Sequence, residues 1–463
     1  MSFIVQDMFW TATGVSRLFP RTTQIFKSWS RIASYSQLSN FKKKGKLKTM
    51  KIDTPEFRAL FTPELLKLES LFKSYQYELR IAGGAVRDLL MGKTPHDVDF
   101  ATTATPEEMK TMFEKEKIRM INAKGEEHGT ITARINDKEN YEVTTLRIDV
   151  VTDGRRAKVE FTRDWQLDAN RRDLTVNSMF LGFDGTLYDY FNGKEDLEQR
   201  RVKFVGNAEE RIQEDYLRIL RYFRFFGRIA TDPNCHLVET LEAIKNNGHG
   251  LKGISGERIW TELQKIVVGN HAPSIMGVMA DLGLLQYMGL PSDCNLEEFK
   301  NVYASAKELD PKPMTMVTAL LHKEEDIYQF RERVKFSNDD LGIALFVQKH
   351  RRDQNTQDKI YYCKELLCDT EGSVVKTKEK ICELLKYFGN KELLSQPDDW
   401  NIPRFPVHGQ FLVKMGLKKR EIAVTLAALR KLWKESGFTL SQDELLEHAE
   451  KMVKDGDSSQ SKT

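Results

Sequence analysis

The sequence predicts an α+β protein, with a small mixed sheet and its helices near the N-terminus followed by a long all-helical portion. Between residues 77 and 150, short alternating apolar and polar runs are interleaved with helix-like stretches; beyond about residue 165 the strand signals fade and helical periodicity dominates. The length of 463 residues, with 40% hydrophobic and 10% aromatic content, is enough for roughly two to four packed units. No apolar run reaches the length of a membrane span.

In chain order, YELRIA (77–82) reads as a strand, AVRDLLMG (85–92) as a helix and DVDFATT (97–103) as a second strand. PEEMKTMFEKEK (106–117) reads as a helix, because Thr105 stands at the N-cap position ahead of Pro106. IRMIN (118–122), HGTITARI (128–135) and YEVTTLRIDV (141–150) read as strands, and LYDYF (187–191) and VKFVG (202–206) as short extended pieces inside the helical region. KDGDSSQSKT (454–463) has the composition of a disordered end.

The net charge of +3 hides an asymmetry. Residues 1–51 hold ten Lys/Arg against the single acid Asp7, so the remainder has 61 basic and 67 acidic residues, a net of −6. A globally basic polynucleotide binder is excluded, and RNA binding would need local basic clusters. Residues 8–36 are rich in Arg, Ser and aromatics and contain no acid, which predicts a mitochondrial transit peptide. FKKKGKLK (41–48) reads as a solvated tether, a nuclear signal or an RNA-binding arm; Met50 just after it would start a cytosolic or nuclear form. The cysteines Cys235, Cys294, Cys363, Cys368 and Cys382 show no metal-binding spacing and read as reduced thiols.

The chemistry concentrates in LRIAGGAVRDLLMGKTPHDVDF (79–100). Leu79 and Ile81 end a strand, and Gly83-Gly84 lets the backbone approach a ligand before a helix whose first N–H groups suit phosphate. With Asp97 and Asp99 both placed in the next strand, their carboxylates share one face while Val98 and Phe100 enter the core. Paired carboxylates suit Mg²⁺, and two such ions, roughly 3.5 to 4 Å apart, clamp the attacking and leaving oxygens of an in-line displacement. This is the outline of a metal-dependent nucleotidyltransferase. Glu142 in YEVTTLR either completes that site or lies solvated on an open sheet face, and Arg87 either donates to triphosphate oxygens or forms a salt bridge to Asp88 or to the site carboxylates.

GGAVRD, DVDF, RRDLTVNS (171–178) and EDYLRILRYFRF (214–225), in that order, resemble the CCA-adding tRNA nucleotidyltransferases of the bacterial and eukaryotic class, nearest to the animal mitochondrial and cytosolic members. The resemblance runs from about residue 51 to 440. It implies a nucleotidyltransferase head followed by helical neck, body and tail: a leader and linker over 1–49, head 50–188, neck 189–275, body 276–390, tail 391–453 and a disordered end at 454–463. It implies tRNA, CTP and ATP as partners, Mg²⁺ as cofactor and a monomer or homodimer. Asp97, Asp99 and Glu142 would be catalytic, with the first two on metal; Gly83, Gly84, Arg87, Arg172, Asp173, Asn177, Asp215, Arg218, Arg221 and Arg224 would hold the nucleotide.

RRDLTVNS reads as a helix with Arg171, Arg172, Asp173 and Asn177 on a polar side, and by resemblance grips ribose and phosphates; by itself such a segment is as readily a surface network. EDYLRILRYFRF reads as one helix with Asp215 and Arg218 adjacent at i, i+3, Arg221 and Arg224 spiralling onward, and Leu217, Leu220 and Phe223 in the core. A carboxylate acceptor beside a guanidinium donor matches the amino group and ring nitrogen of cytosine and adenine and mismatches uracil and guanine. The bland alternative is an intrahelical Asp–Arg pair. SGERIWTEL (255–263) resembles the family's motif that braces the neck helices, with Ser255 at the N-cap. In 414–437, Ile422, Leu426, Leu429 and Trp433 form an apolar stripe flanked by Lys418, Lys419, Arg420, Arg430, Lys431 and Lys434, a face that by resemblance meets tRNA. Two rivals stand beside this reading: a bacterial-type poly(A) polymerase, and a non-catalytic RNA-binding protein on a decayed transferase fold.

Overall fold

A computed structural model of the chain describes residues 48–121, 126, 128–152, 157–353, 359–368, 373–395 and 403–460. The leader and nearly all of the linker assigned to 1–49 lie outside the described residues. An eight-stranded sheet organises the N-terminal part: β1 (Lys48–Lys51), β2 (Leu79–Ala82), β3 (Asp99–Thr102), β4 (Arg119–Ile121), β5 (Thr130–Ile135), β6 (Glu139–Thr145), β9 (Phe180–Leu181) and β10 (Thr186–Asp189). Their order across the sheet is β1-β10-β9-β2-β3-β6-β5-β4. The sheet is mixed, since β3 and β6 run parallel while the remaining pairs are antiparallel. Helices α1 (Pro63–Ser74), α2 (Gly84–Leu90) and α3 (Pro106–Lys115) accompany it. Leu65, Phe72, Val86, Phe100, Phe113 and Val143 meet in its core. α3 starts as expected: Thr105 and Glu108 cap each other's backbone N–H groups and Pro106 opens the first turn.

The run YEVTTLRIDV is not one strand. It breaks at Leu146, whose fully buried side chain anchors the chain while its N–H donates to Thr102 and its carbonyl accepts from Thr162. The chain then enters a separate hairpin of β7 (Arg147–Thr152) and β8 (Ala157–Phe161). Of the extended pieces expected later, LYDYF supplies most of β10, whereas VKFVG contributes only the isolated bridge between Leu174 and Phe204.

From Trp165 the chain is predominantly helical. The elements that build the site are α4 (Trp165–Arg171), α5 (Ala208–Glu214), α6 (Arg218–Ile229) and α7 (Gly256–Val267). One continuous apolar core joins α6 and α7 to the following helices through Leu220, Phe223, Ile259, Leu263, Phe299 and Phe330. A smaller cluster around Leu412, Leu429 and Trp433 packs α9 (Lys419–Glu435) against α8 (Lys359–Cys368) and α10 (Gln442–Gln460). α10 carries helical backbone as far as Gln460, where composition predicts none. Among the described residues no helix is long and apolar enough to cross a membrane.

Candidate active site

Strand register brings the first elements together. Ala82 pairs with Asp99, so the end of β2 and the start of β3 meet at one end of the two central strands. Immediately after Ala82 stands Gly83, with φ +63°, a conformation that favours glycine; an added Cβ would also lie 3.1 Å from Nη1 of Arg172. Val143 of β6 pairs with Phe100, which sets Glu142 beside Asp99 on the parallel neighbour, as its strand position suggests. Asp97 departs from expectation. It lies in an exposed bend before β3, which begins only at Asp99, so strand alternation is not what brings the two aspartates together.

The Asp99 carboxyl is held above its ordinary pKa, first by the protein packed around it, then by repulsion from Glu142 and from Asp97; Arg172 opposes the shift. Asp97 and Glu142 therefore both act on Asp99 at the start of β3, and this local excess of negative charge suits a hard cation held by oxygen donors. Among the described residues no three His, Cys, Asp or Glu side chains already stand in a metal-holding group.

RRDLTVNS is not a helix. α4 ends at Arg171, Arg172 and Leu174 are extended, and a single 3₁₀ turn covers Thr175–Asn177. The reason is tertiary pairing: Thr175 N–H donates to Lys203, Val205 N–H donates to Asp173, and Leu174 bridges to Phe204. Asp173 and Asn177 nevertheless meet, with Nδ2 3.4 Å from Oδ1. Asp173 also accepts from Nε of Arg221 at 2.6 Å. Burial pushes the Asp173 carboxyl up, but Arg221 and the hydrogen bonds outweigh it and hold the group below the ordinary range.

EDYLRILRYFRF is not one helix either. Asp215 is extended (φ −154°, ψ 103°) and separates α5 from α6. The Tyr216 ring fills the space beside Gly250, where a Cβ would come within 2.0 Å of it, and the Asp215 carboxylate accepts from Leu217 N–H across the break. Consequently Asp215 and Arg218 do not pair with each other. The second oxygen of Asp215 accepts from Arg258 at 2.7 Å; Arg218 donates to Glu214 at 2.6 Å and to the carbonyls of Arg211 and Arg171 at 3.0 and 2.9 Å. Three of the five Arg218 N–H groups are thus engaged, leaving the Nε edge with two donors. Leu217, Leu220 and Phe223 are buried as expected.

Further along α6, Arg224 forms a 3.0 Å ion pair with buried Glu262, without hydrogen-bond alignment. Arg87 is 3% exposed and both of its alternatives bear on the geometry. It pairs with Asp88, yet one N–H remains on each terminal nitrogen after Asp88 and Asn177 take the other three.

All thirteen residues singled out from the sequence line one cleft of about 1170 Å³. Sequence reasoning missed Asp168 and Glu262. Asp168, 1% exposed, accepts from Arg171 Nε (2.8 Å), Arg172 Nη2 (3.0 Å) and the Arg147 backbone N–H (3.1 Å). Its signal was present, since Asp168 stands three and four residues before the two arginines on α4. Glu262 had no such signal, because its partners Arg221 and Arg224 are about forty residues away. Arg258, read as a brace, reaches the site through Asp215; Ser255 occupies the N-cap of α7 without a side-chain bond.

Residues 79–203 match the Poly A polymerase head domain family, and residues 238–291 match the family described as the probable RNA and SrmB-binding site of polymerase A. The mitochondrial CCA tRNA nucleotidyltransferase 1 of Danio rerio is 56% identical over 405 residues, covering 86% of this chain and 93% of the relative. The Homo sapiens protein of the same name is 50% identical over 430 residues, covering 92% and 96%. The Bacillus stearothermophilus CCA-adding enzyme, solved with CTP, shares the fold at TM-score 0.66 and 24% identity, over 87% of this chain and 100% of the other. With half or more of the residues identical along nearly the whole of both sequences, the chain belongs to the CCA tRNA nucleotidyltransferase family.

Proposed function

We propose that the chain adds C, C and A to the 3′ end of tRNA from CTP and ATP, releasing pyrophosphate, and does so in mitochondria. The observation that carries this reading is the convergence of a glycine turn, an aspartate repelled by two further carboxylates and an arginine-bearing helix on one cleft, in a chain at least half identical to curated enzymes of that name. In the proposed division of the chain, residues 50–188 form the catalytic head, 189–275 the neck that reads the base, 276–390 the body, and 391–453 a tail that meets the outer part of the tRNA. A form starting at Met50 would stay outside mitochondria; it would keep Met50 and Lys51, the half of β1 that pairs with Leu187 and Thr186.

Asp97 and Asp99 would hold Mg²⁺ with Glu142 beside them, and the bound ion would supply charge neutralisation for the attacking 3′-hydroxyl and the departing pyrophosphate. The chain's own groups do the aligning. Backbone N–H groups after Gly83, the free edge of Arg87 and the Arg172 guanidinium face the triphosphate. Asp173, fixed by Arg221 and Asn177, presents an acceptor for the ribose 2′-hydroxyl and so favours ribonucleotides. The Nε edge of Arg218 offers donors to a ring nitrogen, and Asp215, held by Arg258 and by Leu217 N–H, keeps lone pairs that accept from the exocyclic amino group; cytosine and adenine satisfy both. The nucleophile belongs to the RNA, so no covalent enzyme intermediate forms.

A tRNA lacking its 3′ end, incubated with each NTP singly, tests the reading. CTP incorporation is expected. Incorporation of ATP alone would favour a poly(A) polymerase, and no incorporation at all would leave only an RNA-binding role.

A further inference from the structure

We propose that Asp88 and Arg228 are positioning residues, holding the phosphate-facing edge of Arg87 in register with the base-reading helix α6. This rests on the reading of Arg87 as a phosphate ligand. Asp88 divides its carboxylate between two elements. One oxygen accepts from Arg87 Nε and Nη2 at 3.1 and 3.0 Å; the other accepts from Arg228 Nη2 at 2.7 Å. Arg87 and Asp88 belong to α2 in the sheet domain, whereas Arg228 is in the last turn of α6. The chain of contacts Asn177–Arg87–Asp88–Arg228 therefore crosses from the phosphate side of the cleft to the helix carrying Arg218, Arg221 and Arg224.

Three features make this more than a surface brace. First, Arg87 is almost wholly buried, so its orientation is set by its partners rather than by solvent. Second, its unused N–H groups are on the terminal nitrogens that lie against Gly84; a Cβ there would stand 3.6 and 3.9 Å from them, and glycine keeps that edge open. Third, Phe225 of α6 lies under the Arg87 guanidinium at 4.9 Å, so a rotation of α6 moves the surface on which Arg87 rests. Burial, with repulsion from Arg228 and Arg224, weakens the hold of Arg87 on its proton despite Asp88. Asp88 alone thus faces two guanidinium groups, those of Arg87 and Arg228. Arg228 fixes Asp88, Asp88 fixes Arg87, and the phosphate and base halves of the site keep one spacing.

The test compares Arg228→Gln and Arg228→Lys in the full chain, with Arg87→Ala as reference and inorganic pyrophosphate as a probe that has no base or ribose. Arg228→Gln is expected to raise the CTP and ATP KM and the pyrophosphate Ki together, by about three- to tenfold, with kcat and tRNA affinity within about twofold. Arg228→Lys, which keeps the charge, is expected to restore most of the loss. An unchanged pyrophosphate Ki in Arg228→Gln, a fall in Tm alone, or a lysine variant as impaired as the glutamine one would overturn the inference. If Arg87→Ala also leaves that Ki unchanged, the phosphate reading of Arg87 itself fails. If Arg87→Ala raises it and Arg228→Gln does not, only the positioning role fails.

Discussion

Asp99 is the residue on which the electrostatics of the site turn. Its raised pKa means that the folded protein holds the ionised carboxylate at a cost, the reverse of the usual effect of folding on a paired aspartate. That cost is complete above the folded-state pKa and fades as pH falls through it towards the unfolded value. Asp99→Asn is therefore expected to raise Tm at neutral pH without Mg²⁺, with the gap closing in the acid range; a gap independent of pH would deny the electrostatic origin. Asp97→Ala or Asp99→Ala should abolish C and A addition alike while tRNA binding survives, because the proposed mechanism runs both transfers through the same carboxylates. Arg218 carries a sharper expectation. Its engagement by Glu214 and two carbonyls orients its Nε edge, so Arg218→Ala should slow CTP and ATP far more than UTP and GTP and collapse selectivity. Single-turnover incorporation of each nucleotide measures this, and equal slowing of all four would refute base reading by Arg218.

At the scale of elements, the strands and helices of the head were legible because alternation and capping are local signals, as at Thr105 and Glu108. That the candidate residues would gather in one cleft was legible because they sit in short motifs. Local pattern concealed the break at Leu146, the bend at Asp97 and two helix ends within the site: α4 stops at Arg171 because residues 173–175 pair with 203–205, and α5 stops at Asp215 because Tyr216 packs against Gly250. The two helix ends are decided by partners far away in sequence, and both change which side chains meet. The first of these leaves Asp168 holding Arg171 and Arg172 at the end of α4. Burial pushes the Asp168 carboxyl up, yet Arg172 and Arg171 bring it below the ordinary range, so its stabilisation is present above the unfolded pKa and lost as pH falls through the folded one. Asp168→Asn should cost about 3 kcal/mol at neutral pH, since it leaves closely packed guanidinium groups without their anion, and should raise the KM for both nucleotides. Urea unfolding at neutral pH and at pH 3 checks the sign: the cost should shrink in acid.

Across the whole molecule, charge is segregated by function. The chain beyond residue 51 is net acidic, so affinity for a polyanion has to come from confined surfaces, of which the cleft arginines are one. The tail is the other surface proposed here. α9 buries Leu429 and Trp433 against α8 and α10, with Ile422 and Leu426 partly covered, so the stripe read from sequence is the seam of a packed unit rather than an open binding face. Lys418, Lys419 and Arg420 at its N-terminal end, and Lys431 further along, stay exposed. Their energetic value to the fold is small, because exposed charges are screened, which frees them for RNA phosphate. Reversing Lys418, Lys419 and Arg420 to Glu should leave Tm and the CTP KM nearly unchanged, weaken tRNA binding, and lower the slope of log K against log salt by about one for each phosphate no longer neutralised. Filter binding over a salt series, beside nucleotide kinetics at saturating tRNA, separates the two effects. Unchanged tRNA affinity and salt slope would remove the tail from the RNA path and leave the cleft as the basic surface that holds the substrate.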